Sequence, residues 1–393
     1  MVHFVAGSPF TVILLVITFA FVAAILSDKL RLSYTTILIA IGFALSFLSV
    51  PSGLHDIPLD ADIILGLVVP PMIFEAAMRT RYGVFRTVQR TVLALAVFGV
   101  IVSALVSAAV LQIGLGLPLV VAFTFGIIVS PTDPVSVVSV LKRVRAPERL
   151  TTILESEAYF NDATAVILYS IVISLSVDPL QSIGLFAYTL GGGVLIGLLV
   201  SVIAELLYRL VTEPLAEATF TTVVMFGSYA LAQSLGTSGL IAVAIAGLYM
   251  GNRTMRVAMS DKTRETMVAF WEILTFLAAS LAFLLLGLKA NLWLLYTFAP
   301  LIAIAFLAIL LSRVISVYPI VGLTRLMGER IPSSWTRVLA TAGLRGAVSV
   351  VLALSLPEGP FKETIVAMTF GVAILSLVVQ GELLAVRLRK AGL

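Results

Sequence analysis

Ser130-Pro-Thr-Asp-Pro134 interrupts an apolar run over about residues 118–141, and Gly343-Leu-Arg-Gly346 interrupts another over about 337–357. Each break carries one ionisable residue, Asp133 or Arg345, where a helix would otherwise cross hydrocarbon. Proline removes a backbone donor and glycine loosens the chain, so both stretches are expected to end one half-helix and start another. Ordinary kinks at Pro and Gly are the bland alternative, since both residues are frequent in membrane helices. A charge inside each break argues for function, because burying an ion in a membrane is expensive unless the position is used.

The rest of the chain fits a membrane setting. It is 60% hydrophobic and 12% charged, too few charges to cover a soluble protein of 393 residues. The composition predicts an all-α polytopic membrane protein. The sequence pI of about 9.4 then reflects basic loops rather than nucleic-acid binding. With no Cys, disulfides and thiolate metal sites are excluded. The two His, His3 and His55, fall at the N-terminus and in a loop, so neither zinc-protease chemistry nor a buried His relay is available. The first apolar run, Ser8–Leu26, has no basic region before it; Lys29 and Arg31 follow it, so it reads as a retained helix.

Apolar runs matched to a span of roughly twenty residues number thirteen. They lie near 8–26, 34–50, 61–79, 91–115, 118–141, 151–176, 183–207, 217–234, 237–251, 266–289, 293–323, 337–357 and 364–386. All but four of the 25 basic residues fall in alternate loops, among them Arg79, Arg81, Arg86 and Arg90, then Arg253, Arg256, Lys262 and Arg264. Lys289 and Lys362 lie on the opposite side, and Arg313 and Arg345 lie inside spans. This bias predicts an N-terminus outside, a cytoplasmic C-terminus and an odd helix number.

Thirteen spans divide as six, one and six: a first repeat at about 8–176, a linking helix at about 183–207, and a second repeat at about 217–386. The two repeats start on opposite sides, the topology of an inverted repeat. The broken spans are the fifth of each half, spans 5 and 12. Discontinuous helices in corresponding positions point to a transporter binding site.

Glu75, Asp133, Glu157, Asp162 and Arg345 all fall inside spans. At about 1.5 Å per residue, Asp162 is roughly 17 Å in from the basic side, Asp133, Glu157 and Arg345 roughly 10–13 Å, and Glu75 nearer 6 Å. One cluster between the midplane and the basic side is expected. Four acids and one arginine cannot all be charged there, so Arg345 is expected to pair with one carboxylate. The others must be protonated, hydrogen-bonded or paired with a cation. A carboxyl group that chooses between a proton and a metal ion is what an exchanger requires. Oxygen ligands without thiolate or imidazole suit a hard cation such as Na⁺, and unwinding at Thr132 and Asp133 would free backbone carbonyls. Glu155 lines an access funnel or is a solvated helix end. Glu205, Glu272 and Glu382 read as interfacial. Arg313, about ten residues from the basic end of its span, either snorkels or pairs internally.

Four stretches in this order resemble the monovalent cation/proton antiporters, in particular the NhaP-type sodium/proton exchanger branch. They are Pro70-Pro-Met-Ile-Phe-Glu-Ala76, Ser130-Pro-Thr-Asp-Pro134, Glu157-Ala-Tyr-Phe-Asn-Asp162 and Gly343-Leu-Arg-Gly-Ala-Val348, which span most of the chain. The resemblance implies a thirteen-helix inverted-repeat fold, a homodimer, and a core domain including helices 5, 6, 12 and 13 that moves against a dimerisation domain formed by the remainder. It implies Asp162 as the ion and proton carrier, Glu75 and Thr132 as further Na⁺ ligands, and Asp133 acting through water. Asn161 would stabilise the crossing of the broken helices, and Glu157 would pair with Arg345 structurally. Asn rather than a second Asp before Asp162 resembles the electroneutral branch, which exchanges one Na⁺ for one H⁺. Ala158 departs from the family pattern, where Ser commonly follows the Glu; a hydroxyl one turn below Asp162 is missing, which bears on ion preference.

The expected function is therefore secondary exchange of Na⁺ or Li⁺ for H⁺ across a prokaryotic plasma membrane, with no cofactor and no nucleic acid. K⁺/H⁺ exchange on the same fold is the alternative. An intramembrane hydrolase built on Asp133 and Asp162 is disfavoured by the absence of Gly-x-Gly-Asp and Gly-x-Ser-x-Gly sequences. A channel fits broken helices less well than a pore lined by a charged ring would. Only a few residues follow the last span, so no large regulatory domain is expected after it.

Overall fold

In hydrocarbon every backbone N–H and C=O must be bonded within its own segment, so apolar runs of this length become helices. The computed structural model describes residues 9–30, 32–47, 64–174, 178–208, 213–257, 259 and 261–390, and among these there is helix and no strand. His3, His55, Arg31 and Arg209 lie outside the described residues.

The helices are α1 (Pro9–Leu30), α2 (Tyr34–Phe47), α3 (Val69–Arg79, entered through a π turn at Ile64–Val68) and α4, which runs from Gln89–Ala94 through a π turn at Leu95–Gly99 to Val100–Leu115. Next come α5a (Leu119–Ile128), α5b (Pro134–Val144), α6 (Glu148–Ile173), α7 (Pro179–Tyr208), α8 (Pro214–Ser234) and α9 (Gly239–Tyr249). The chain continues with α10 (Asp261–Lys289), α11 (Ala299–Leu326), α12a (Ser333–Thr341) and α12b (Ala347–Leu354). Last is α13, in which Lys362–Leu375 and Gly381–Lys390 flank a π turn at Ser376–Gln380. Among the described residues, seven of these helical stretches are long and apolar enough to cross a membrane. Helix α6 is not one of them, although it has 26 residues, because its Glu and Asp residues break the apolar run.

The helices pack in two groups. In one, α4 lies against α5a and α11, α11 against α13, and α5b against α6 and the end of α13. In the other, α2 lies against α10, α3 against α9, and α7, α8 and α9 against one another. Helix α6 touches both groups. Helices α2 and α10 approach closely. A Cβ on Gly42 would lie 2.2 Å from the Leu284 carbonyl oxygen, and one on Gly287 would lie 2.2 Å from that of Ile39. Small residues permit such backbone contact where no hydrophobic force drives helices together in lipid. Between the groups, the Thr35 and Ser136 hydroxyls, both buried, meet at 2.9 Å and join α2 to α5b.

Both expected interruptions are present. Residues 129–133 separate α5a from α5b, and residues 342–346 separate α12a from α12b. Their backbones touch, with the Asp133 N–H donating to the Leu344 carbonyl at 2.8 Å.

Candidate functional site

A broken helix creates two new ends inside the protein, each with unsatisfied backbone groups and a partial charge. The carbonyls freed at the C-terminal end of α5a are met by Arg345, whose Nη1 donates to Ser130 O at 2.5 Å and to Pro131 O at 3.2 Å. Arg345 is itself fixed in the other break, because its backbone N–H donates to Ser376 Oγ at 2.9 Å in the π turn of α13. The last turn of α12a is met in the same way by a different arginine: Arg313 of α11 donates from Nε to Leu339 O at 3.1 Å. A cation is favoured at each of these negative helix ends.

The N-terminal end of α5b is closed by Asp133, whose Oδ2 accepts the Ser136 backbone N–H at 2.6 Å. This is the bond an N-cap makes, and the carboxylate faces the positive end of the helix. The same side chain lies against the start of α12b. A Cβ on Gly346 would sit 2.6 Å from Asp133 Cβ and 2.9 Å from its Oδ1. Asp133 therefore stands between the N-terminal ends of both second halves.

Helix α6 passes this crossing with three polar side chains that have separate fates. Asn161 grips Thr132, its Nδ2 donating to Thr132 Oγ1 at 2.7 Å and its Oδ1 accepting the Thr132 N–H at 3.2 Å. Glu157 is held by Arg313, with Nη2 to Oε2 at 2.9 Å and a second contact from Nη1 to Oε1. Asp162 is buried, within electrostatic reach of Asp133 and Arg345, and its Oδ1 has no hydrogen-bond partner among the described residues.

The structure thus brings Thr132, Asp133, Asn161 and Arg345 together, with Asp162 beside them, and corrects one pairing. Glu157 pairs with Arg313, not with Arg345. Arg345 is anchored in the α12 break and aimed at carbonyls 130 and 131. Arg313 reaches Glu157 from α11 with the two-pronged geometry that suits a carboxylate. Similar depth in the membrane was the one sequence signal for this pair. Ala158 is fully buried and contributes only a methyl group.

Glu75 belongs to a group of charged side chains around a cavity of about 520 Å³, together with Arg79, Glu155 and Glu272, and it pairs with Arg79, which also pairs with Glu272. Glu155 thus lines a cavity, and Glu272, expected to be interfacial, is drawn into the same network. Helix ends followed by arginine-rich loops surround this cavity, and Pro134, the residue after Asp133, is also on its wall. Glu205, also expected to be interfacial, is 5% exposed and accepts from the Tyr249 hydroxyl at 2.7 Å and from Arg253 Nε at 3.0 Å.

The chemistry left over is simple. Glu157 is paired with an arginine, and Asp133 accepts the Ser136 backbone N–H. Asp162 remains a buried carboxyl group with an oxygen available to a proton or a small cation.

The chain as a whole is similar to known proteins. The transmembrane sodium/hydrogen exchanger family model matches residues 16–390. The Na(+)/H(+) antiporter NhaS2 of Synechocystis is 33% identical over 375 residues, covering 94% of this chain and 68% of that protein. The Na(+)/H(+) antiporter NhaP of Pseudomonas aeruginosa is 33% identical over 338 residues, covering 82% and 79%. In fold, the chain resembles the sodium proton antiporter MjNhaP1 of Methanocaldococcus jannaschii, with a TM-score of 0.79 at 23% identity over 96% of this chain and 97% of that one. A buried acid beside crossed half-helices, carried on a chain matched almost end to end, makes this protein a member of the transmembrane sodium/hydrogen exchanger family.

Proposed function

We propose that this protein exchanges Na⁺ for H⁺, one for one, by alternating access at Asp162. The observation that carries the reading is the buried Asp162 Oδ1 without a partner among the described residues, in a cluster whose other carboxylates have theirs. An uncompensated carboxylate is expensive to move through a low-dielectric barrier. A carboxyl group carrying either H⁺ or Na⁺ is neutral in both forms. Only the loaded protein then reorients, and each cycle moves one positive charge in each direction. Asn161, being neutral, adds no second carrier and keeps the exchange electroneutral.

In this reading Thr132 supplies a ligand beside Asp162, Glu75 serves the cation from the cavity side, and Asp133 acts through water. Thirteen spans in two inverted repeats, with the N-terminus outside and the C-terminus in the cytoplasm, place the cavity on the cytoplasmic face of a prokaryotic plasma membrane. The moving unit is α5, α6, α12 and α13, with α4 and α11 packed on it; α11 is tied to α6 by the Glu157–Arg313 pair. The remaining helices form the dimerisation side of a homodimer. Sliding of the moving unit breaks the Thr35–Ser136 contact between α2 and α5b.

The test is transport by purified protein in liposomes across a series of Na⁺, Li⁺ and K⁺ gradients. Internal pH is expected to respond to Na⁺ and Li⁺. A response to K⁺ alone would replace the assignment with K⁺/H⁺ exchange, and no response from folded protein to any cation would end it.

A further inference from the structure

The cavity beneath the crossing holds three carboxylates, from Glu75 on α3, Glu155 on α6 and Glu272 on α10. Arg79 is the one basic residue among the described residues that line it. It lies one helical turn after Glu75 on the same helix, and its guanidinium spans two of the three acids: Nε contacts Glu75 Oε1, and Nη2 contacts Glu272 Oε1. The two partners differ in exposure, with the Glu75 side chain 15% exposed and that of Glu272 55% exposed. Arg79 therefore bridges a sheltered carboxylate and an open one on the wall of a cavity that Pro134, next to Asp133, also lines.

We propose that Arg79 is a built-in competitor of the transported cation. It occupies Glu75 while the cavity is open, and it must shift its weight onto Glu272 before an incoming ion can use Glu75. The proposal rests on the reading of Glu75 as a cation ligand. Three acids draw cations into the cavity, while the tethered guanidinium sets how much cation is needed to claim the inner one. An arginine suits this task because its planar fork holds two carboxylates at once and keeps its charge at any working pH. Letting go of one acid is eased while the other is still held, since the guanidinium keeps a carboxylate partner throughout. The protein would gain a lower apparent affinity and with it protection from loading at low cytoplasmic Na⁺.

The experiment is the KM for Na⁺ in proteoliposomes for wild type, Arg79→Gln, Glu75→Gln and the double variant. Arg79→Gln is expected to lower KM about fivefold, Glu75→Gln to raise it, and the double variant to match Glu75→Gln alone. Dependence on Glu75 separates competition from a general change of field, which would lower KM equally in both backgrounds. That additive result, or an unchanged or raised KM in Arg79→Gln, overturns the proposal. A wild-type KM in Glu75→Gln removes Glu75 as a ligand and the proposal with it, while exchange at Asp162 stands. Should Arg79→Gln not fold, Arg79→Lys is read in its place, with a smaller fall in KM expected because an ammonium lacks the two-acid fork.

Discussion

Arg313 of α11 holds Glu157 of α6 across 156 positions of sequence, with both side chains buried and both carboxylate oxygens engaged. The same guanidinium group reaches the end of α12a through Leu339 O, and its stem passes 3.4 Å from where a Cβ on Gly343 would stand. One side chain therefore fastens α6, α11 and α12a together beside the crossing. Arginine-to-alanine substitution at this position leaves a buried, unpaired Glu157, and a loss of about 3–5 kcal/mol is expected. Thermal unfolding in detergent checks it. Arg313→Ala with wild-type stability would remove the pair from the account.

Arg345→Ala is expected to act differently. It leaves the Glu157 pair intact and uncovers the carbonyls of Ser130 and Pro131. The stability loss is expected to be smaller than for Arg313→Ala, about 1–3 kcal/mol for unsatisfied buried acceptors, and transport is expected to fall sharply. Comparing unfolding temperature with transport rate for the two variants separates the roles.

Asp162→Asn is expected to abolish exchange while leaving the fold intact, because a neutral amide cannot alternate between proton and cation. The same shared group makes H⁺ and Na⁺ compete. Apparent KM for Na⁺ in the wild type is expected to rise as pH falls, by about tenfold per unit once protons occupy most of the sites. A KM flat across pH would mean that the two ions use separate groups.

Asn161→Asp tests the stoichiometry. The amide donates to Thr132 Oγ1 and accepts from the Thr132 N–H. A carboxylate keeps the second bond and can keep the first contact only by accepting from the Thr132 hydroxyl, while adding a second charge beside Asp162. The wild type is expected to be insensitive to an imposed membrane potential. If the variant still transports, it is expected to become sensitive. Wild-type transport driven by potential alone would refute electroneutral exchange.

Gly346→Ala forces a Cβ to within 2.6 Å of Asp133 Cβ, so the two breaks must separate. Overpacking of this kind costs about 1–3 kcal/mol, and here it displaces the residue that caps α5b. Transport is expected to drop at least tenfold, measured by the internal pH response at saturating Na⁺. An unimpaired variant would show that the crossing tolerates expansion.

The sequence by itself determined that this chain lives in a membrane, where its helices break, and which residues carry charge into hydrocarbon. Those properties are local. Apolar length, Pro and Gly at Ser130-Pro-Thr-Asp-Pro134 and Gly343-Leu-Arg-Gly346, and the cost of a buried ion can all be read one segment at a time. Only the tertiary structure decided who pairs with whom. Glu157 had two arginines at similar depth, and sequence order says nothing about which helix, α11 or α12, turns its guanidinium toward α6. Asp133 carries charge into the break by sequence alone, but only the fold put the Ser136 N–H and the start of α12b beside it. Glu75 was placed by depth alone, and only the fold set it on the cavity wall and paired it with Arg79. Depth along a helix is linear and legible; azimuth around it is fixed by packing against other helices, and azimuth assigned these partners.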